Sequence, residues 1–216
     1  MEKGYFITLE GIDGCGKSTQ AKLLYQRLQT KGCRVLLTRE PGGTDLAEEI
    51  RRVILTPGKE ELDPMAEILL YAASRAQHVN RLIKPALEAG QVVISERFVH
   101  SSLAYQGYGL GRDLKLIRDI NALATGDIQP DLIFLLDSAP ETSGKRVAKR
   151  SKLNGHDTDR IEMRGLSFQD RVRTGFLTLA QEDASIIVIN TAGKSINAVF
   201  LEIAGIVSEK LNIELS

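Results

Sequence analysis

Short runs of adjacent branched and apolar residues alternate along this chain with longer stretches in which apolar residues recur every three or four positions. The short runs are Tyr5 to Leu9, Arg34 to Thr38, Gln91 to Ser95, Leu132 to Leu136 and Ile186 to Ile189. Each has the length of a strand, and apolar residues side by side rather than alternating fit strands buried on both faces of a parallel sheet. Between the first two, Ala21, Leu23, Leu24 and Leu28 fall on one face of a helix over Lys17 to Lys31, which Gly32 ends. Thr44 is placed to cap a second helix from Asp45 to about Leu55, closed by Pro57 and Gly58. Pro64 opens a long third helix reaching Ala89, with a kink or break at Pro85. Five strands separated by helices predict a doubly wound α/β domain, a five-stranded parallel sheet with helices on both faces. Ligands of such sheets sit beyond the carboxyl ends of the strands, so the segments after each strand hold the candidate chemistry.

The first of those segments is the most informative. Tyr5 to Leu9 runs into Gly11, Ile12, Asp13, Gly14, Cys15, Gly16, Lys17 and Ser18, with Thr19 behind them, and G-x-x-x-x-G-K-[ST] is matched at every fixed position. Glycines allow the tight turn that points backbone N–H groups inward, and the following helix adds the positive end of its dipole. Lys17 would meet the β and γ phosphates of a nucleotide, and the Ser18 hydroxyl a magnesium ion. Asp13 is unusual there, since a carboxylate repels phosphate; its use would be to accept from a neutral group such as a sugar hydroxyl.

Other segments supply charge and aromatic surface. Arg97 directly follows a strand and suits an anion contact. Glu96 beside it could hold magnesium through water or merely pair with Arg97. Tyr71 and Arg75, four apart, share a helix face and offer an aromatic plate and a fork of donors. Tyr105, Gln106, Gly107, Tyr108 and Gly109 read as a loop because of their glycines. Lys149 to Arg160, KRSKLNGHDTDR, resembles an inserted flexible piece and reads as a lid over about residues 145–160, with Lys145, Arg146, Lys149, Arg150 and Lys152 as its cations. A run like this is also what a solvated helix face looks like, but phosphoryl transfer needs positive charge near the moving group.

Composition narrows the setting. The 216 residues carry 28 Lys plus Arg and 28 Asp plus Glu, so no net field draws in nucleic acid or a membrane. No apolar run is long enough to span a bilayer. Two cysteines, Cys15 and Cys33, are too few for a disulfide framework and lack metal-ligand spacing. These features lead to the expectation of a single soluble domain in a reducing cytoplasm.

Taken in order, EGIDGCGKST, TREPGGT at Thr38 to Thr44, YAASRAQHV at Tyr71 to Val79, ERFVHSSLAYQG at Glu96 to Gly107, PDLIFLLD at Pro130 to Asp137 and DRIE at Asp159 to Glu162 resemble the thymidylate kinase family. The resemblance implies a P-loop nucleoside monophosphate kinase fold with a short lid. It also implies magnesium-dependent transfer of the γ-phosphate of ATP to dTMP, a step in dTTP synthesis, by a homodimer. By position, Tyr71 matches the residue stacked on thymine, Arg75 the one reaching the base carbonyl, and Arg97 the one gripping the dTMP phosphate. Ser102 and Gln106 match the base edge, Tyr105 the tyrosine against C2′ of the sugar, Asp13 the carboxylate near the 3′-hydroxyl, and Arg51 a second phosphate contact. Ser18 and Glu96 match the metal side, although Asp is usual where Glu96 stands. Some members carry a catalytic arginine inside the phosphate loop, where this chain has Gly14. Its counterpart must then come from the lid, Arg150 before Arg146, acting with Lys17 and Arg97. Readings left open are a kinase of the same architecture for another nucleotide, a nucleotide-driven switch, and a binding-only module. Tyr71, Arg75 and Tyr105 argue against the first, the basic lid against the second, and intact Lys17 and Ser18 against the third.

Overall fold

A computed structural model describes residues 4–126, 128–154 and 159–215, with only the backbone described at 150 and 152–154. The strands are β1 (Tyr5–Glu10), β2 (Val35–Arg39), β3 (Val92–Glu96), β4 (Leu132–Asp137) and β5 (Ile186–Asn190). They form one parallel sheet in the order β2-β3-β1-β4-β5. Each predicted run is a strand, displaced by no more than a residue or so.

Side chains alternate across the sheet, as the strand period requires. Phe6 and Val93 face one side, packed with Val79, Ile83, Ala86 and Phe98, while their neighbours Ile7 and Ile94 point into the larger core on the other side. Register carries the function. Leu9 pairs with Glu96 and Arg39 pairs with Glu96, so the chain leaves β1, β2 and β3 at one level and their following segments converge.

Helices cover both faces. α1 (Lys17–Thr30) follows the phosphate loop, and α2 (Asp45–Leu55) begins where Thr44 accepts a hydrogen bond from the Ala47 N–H at 3.3 Å. Asp63 caps α3 (Pro64–His78), whose path continues through a π-turn at Val79–Ile83 into α4 (Lys84–Glu88). The predicted long helix is present, and its irregularity lies one turn before Pro85. Proline has no N–H for the preceding turn and its ring crowds that turn's carbonyl, so the ladder widens there.

Two readings are corrected. Tyr105 to Gly109 is not a loop but part of a π-helix, Leu103–Gly109, that continues α5 (Val99–Ser102). Its glycines serve packing: a Cβ on Gly109 would lie 2.7 Å from the Phe168 ring, and one on Gly107 would strike Leu114. The basic stretch is also more regular than an inserted flexible piece. α7 (Pro140–Asn154) follows α6 (Leu114–Thr125) and β4, and carries Lys145 through Lys152 as a helix. Residues 155–158 lie outside the described residues. A 3-10 turn (Glu162–Arg164), α8 (Gly165–Glu182) and α9 (Ile196–Leu211) complete the chain.

Candidate active site

The phosphate loop closes around Lys17, whose ammonium donates to the carbonyls of Gly11 at 3.0 Å and Ile12 at 2.8 Å. Gly11 and Ile12 thus hold the lysine rather than line the cleft, which is formed by Asp13 to Thr19. Burial first, and then the charge of Arg97, pull the Lys17 ammonium below its usual range. Gly14 has a φ of 81°, and a Cβ there would strike the backbone carbonyl of Ser143 on α7. An arginine at this position would need α7 to move, so the Gly14 in the sequence and the closeness of the basic helix belong together.

Ser18 donates its hydroxyl hydrogen to Glu96 Oε2 at 2.5 Å, and Arg97 turns away from Glu96 toward Asp13, its Nη2 2.7 Å from Oδ1. The alternative of a Glu96–Arg97 pair is therefore not what forms. Two hard oxygens at the mouth of the phosphate loop are the donor set that magnesium takes when phosphates and water supply its remaining ligands. Among the described residues there is no cluster of three or more His, Cys, Asp or Glu that could hold a metal alone.

Arg97 is fixed from every side. Its other nitrogen donates to the Gly11 carbonyl and Ser101 Oγ, both at 3.0 Å, and its guanidinium lies 4.8 Å from the Tyr105 ring centre. Its φ is 72°, rare for a residue with a side chain. Buried Glu10 sustains that turn by accepting from the Phe98 N–H at 2.7 Å and Ser101 Oγ at 2.5 Å. Asp13 also accepts from the Tyr105 hydroxyl at 3.1 Å. Burial pushes the Asp13 carboxyl up, but Arg97 and Lys17 outweigh it and bring it down to about 2. Its partners are thus one charged group, the Arg97 guanidinium, and one neutral hydroxyl, that of Tyr105.

Arg75 is only 2 % exposed, so it is no surface residue. Four of its five N–H donors are committed: to Glu40 at 2.7 Å, Ser102 Oγ at 2.9 Å, the Phe98 carbonyl at 3.0 Å, and Asn121 Oδ1. His78 completes the group, 3.0 Å from Glu40 and 2.7 Å from Thr38 Oγ1. Gly43, at a φ of 89°, lets the chain pass this imidazole, which a Cβ would meet at 2.5 Å. The Glu40–Pro41 peptide is cis, and the Pro41 carbonyl accepts from Arg51 at 2.8 Å. Burial raises the Tyr71 phenol above its usual range, so it stays neutral.

These residues outline two adjoining clefts. The first has Asp13, Arg51 and Arg97 at one end, with Tyr71, Arg75, Ser102, Tyr105 and Gln106 lining the rest. The second runs over the phosphate loop to Glu96, Arg146 and the Thr191 to Lys194 segment after β5. Asp13, Glu40, Arg51, Arg97 and Asp159 border both.

A family model described as thymidylate kinase matches residues 9–203. A thymidylate kinase of Exiguobacterium sibiricum is 48% identical over 200 residues, covering 93% of this chain and 92% of the relative. One from Pelotomaculum thermopropionicum is 45% identical over 210 residues, 97% of this chain and 95% of its own length. The crystal structure of thymidylate kinase from Ehrlichia chaffeensis superposes with a TM-score of 0.75 at 34% identity, covering 95% of this chain and 99% of that one. The chain belongs to the thymidylate kinase family.

For a chain of the thymidylate kinase family, several groups at this site carried no signal in the sequence beyond membership of a motif. Glu10, Glu40 and Thr38 read as strand ends or turn residues, and only the tertiary pairing shows what each holds. Asp159, at the start of DRIE, borders both clefts and accepts from the N–H groups of Ile161 and Glu162 at 2.9 and 2.8 Å. Arg160 fastens this segment to the end of α2, with its N–H on the Leu55 carbonyl and its guanidinium on that of Thr56, each at 2.9 Å. Arg146 lies at the donor cleft, 3.4 Å from the Gly14 carbonyl. The side chain of Arg150, the first choice for the lid arginine, lies outside the described residues.

Proposed function

We propose that this chain transfers the γ-phosphate of ATP to dTMP, giving ADP and dTDP. The observation that carries the reading is the junction of the two clefts at Asp13, Arg51 and Arg97, where a donor phosphate over the loop would face an acceptor phosphate. Lys17 and the loop N–H groups neutralise the donor phosphates, and Arg97 and Arg51 hold the acceptor's. Mg²⁺, bound with ATP, would be held by Ser18 and Glu96, directly or through water, and supplies further neutralisation of phosphate charge. Tyr71 stacks on the base, Arg75 directs its remaining N–H to the base carbonyl, Ser102 and Gln106 take the base edge, and Tyr105 occupies the space a 2′-hydroxyl would need. Arg150 and Arg146, one turn apart on α7, supply positive charge to the moving phosphoryl group. The protein acts as one kinase domain with a lid over about residues 145–160, in the cytoplasm. In keeping with that, no helix among the described residues is long and apolar enough to cross a membrane.

One further feature supports a homodimer. Leu46 and Val53 on α2, Met65 and Leu69 on α3, and Leu116 and Leu123 on α6 are exposed, Leu123 by 87%. These helices lie side by side, and a second copy covers such a face readily.

Release of ADP from ATP and Mg²⁺ tests the reading, with each nucleoside monophosphate in turn and a control with none. ADP formed with dTMP, and more weakly with dUMP, is expected. Equal ADP without an acceptor would replace transfer by hydrolysis and overturn the proposal.

A further inference from the structure

Glu67 lies on α3 one turn before Tyr71, a carboxylate with no exposed surface. Gln106 Nε2 donates to its Oε1 at 2.9 Å, and Arg164 donates to Oε1 at 3.2 Å and to Oε2 at 2.5 Å. The Arg164 guanidinium also lies 5.0 Å from the Phe168 ring centre, and Phe168 packs edge-on against Tyr105 at 6.0 Å. A buried ion pair is a weak source of stability compared with apolar packing of the same volume. Nor does Glu67 border either cleft.

Its effect is to decide which end of the Gln106 amide points where. A carboxylate paired with Arg164 offers acceptors alone, so the amide nitrogen turns toward it and the carbonyl turns away. Among the described residues nothing donates to Gln106 Oε1, yet this oxygen is not among the buried unpartnered atoms. It therefore opens on the acceptor cleft that Gln106 lines.

We propose that Glu67 is a positioning residue that sets the choice of base, by holding Gln106 as an acceptor toward the nucleobase. Resting on the reading of dTMP as acceptor, this selects pyrimidines with an N–H at position 3, thymine and uracil, against cytosine, whose N3 is itself an acceptor. Two lone pairs facing each other in a desolvated site leave both unsatisfied, and such mismatches discriminate far more strongly than a missing methyl group does.

The test is kcat/KM for dTMP, dUMP and dCMP with the wild-type chain and with Glu67→Gln, whose neutral amide accepts and donates and so lets Gln106 turn over. The preference for dTMP over dCMP is expected to fall at least about tenfold, with a rise in KM for dTMP, while dTMP over dUMP stays unchanged because the methyl group is read elsewhere. A parallel loss toward all three, with the dTMP to dCMP ratio kept, would make Glu67 merely structural and overturn the proposal. Should Glu67→Gln not fold, Glu67→Gln with Arg164→Met removes the buried carboxylate and its half-buried partner together, and the same fall in preference is required. A wild-type chain that does not phosphorylate dTMP would sink the functional reading instead.

Discussion

In the acceptor cleft and its walls cations pair with carboxylates, Arg97 with Asp13, Arg75 with Glu40 and Arg164 with Glu67, whereas over the phosphate loop Lys17 and Arg146 donate to backbone carbonyls, with Cys15 Sγ a weak further partner of Lys17. The pairs on the acceptor side build a rigid shape before any base arrives, because each charge is satisfied in one arrangement. On the donor side the carbonyls are neutral dipoles, and phosphate oxygens offer these cations stronger partners than they already have. Shape and transferable charge are thus separated, and Arg97 stands where the two meet.

Substitutions can break this contrast, and the largest effect belongs to the donor side. Arg150→Ala should lower turnover by about 10³-fold or more with little change in KM for dTMP and none in the unfolding midpoint. Steady-state kinetics would show it, and an unchanged rate would transfer the role to Arg146. On the acceptor side the damage should be to folding. Arg75→Met leaves Glu40 buried without its guanidinium, and denaturant unfolding should show a loss of about 3–5 kcal/mol. A midpoint close to that of the wild type would contradict the account of Arg75 as a structural strut. Lys17→Met should reduce kcat by about 10²–10³-fold while removing no more than about 1–2 kcal/mol of stability. A collapse of the fold would mean that the lysine holds the loop together rather than serving phosphate.

The smallest effect is a dependence on acid. The Asp13 carboxyl is held at about 2, below its ordinary 3.8. Its contribution is complete above the ordinary value and is lost as pH falls through about 2, an amount of about 2 kcal/mol. Unfolding curves between pH 5 and 2 should therefore decline less steeply for Asp13→Asn than for the wild type. Equal slopes would place the pairing with Arg97 below what the geometry implies.

Local signals account for most of the fold. The five apolar runs, Thr44 as a cap and the glycines of the phosphate loop each act over a few neighbouring residues, and each led to the element observed. Tyr105 to Gly109 misled for a definite reason: two glycines in five residues ordinarily free the backbone, but here they admit Leu114 and Phe168. Nothing near Gly107 or Gly109 in the chain reports a neighbour on α6 or α8. The basic stretch misled in a related way, since charge and small residues suggested flexibility where α7 runs on to Asn154.

What the chain alone determined is the order of strands and helices, the phosphate loop, and the set of residues gathered at the carboxyl edge of the sheet. Those follow from periodicity and from motifs whose parts are adjacent. Only the tertiary structure decided the partners of the charges: that Arg97 takes Asp13 and leaves Glu96 to Ser18, that Glu40 joins Arg75 and His78, and that Glu67 turns the amide of Gln106. Pairing depends on distance and burial across elements far apart in sequence. A charged residue's type states what it can bind, and the fold alone states what it meets.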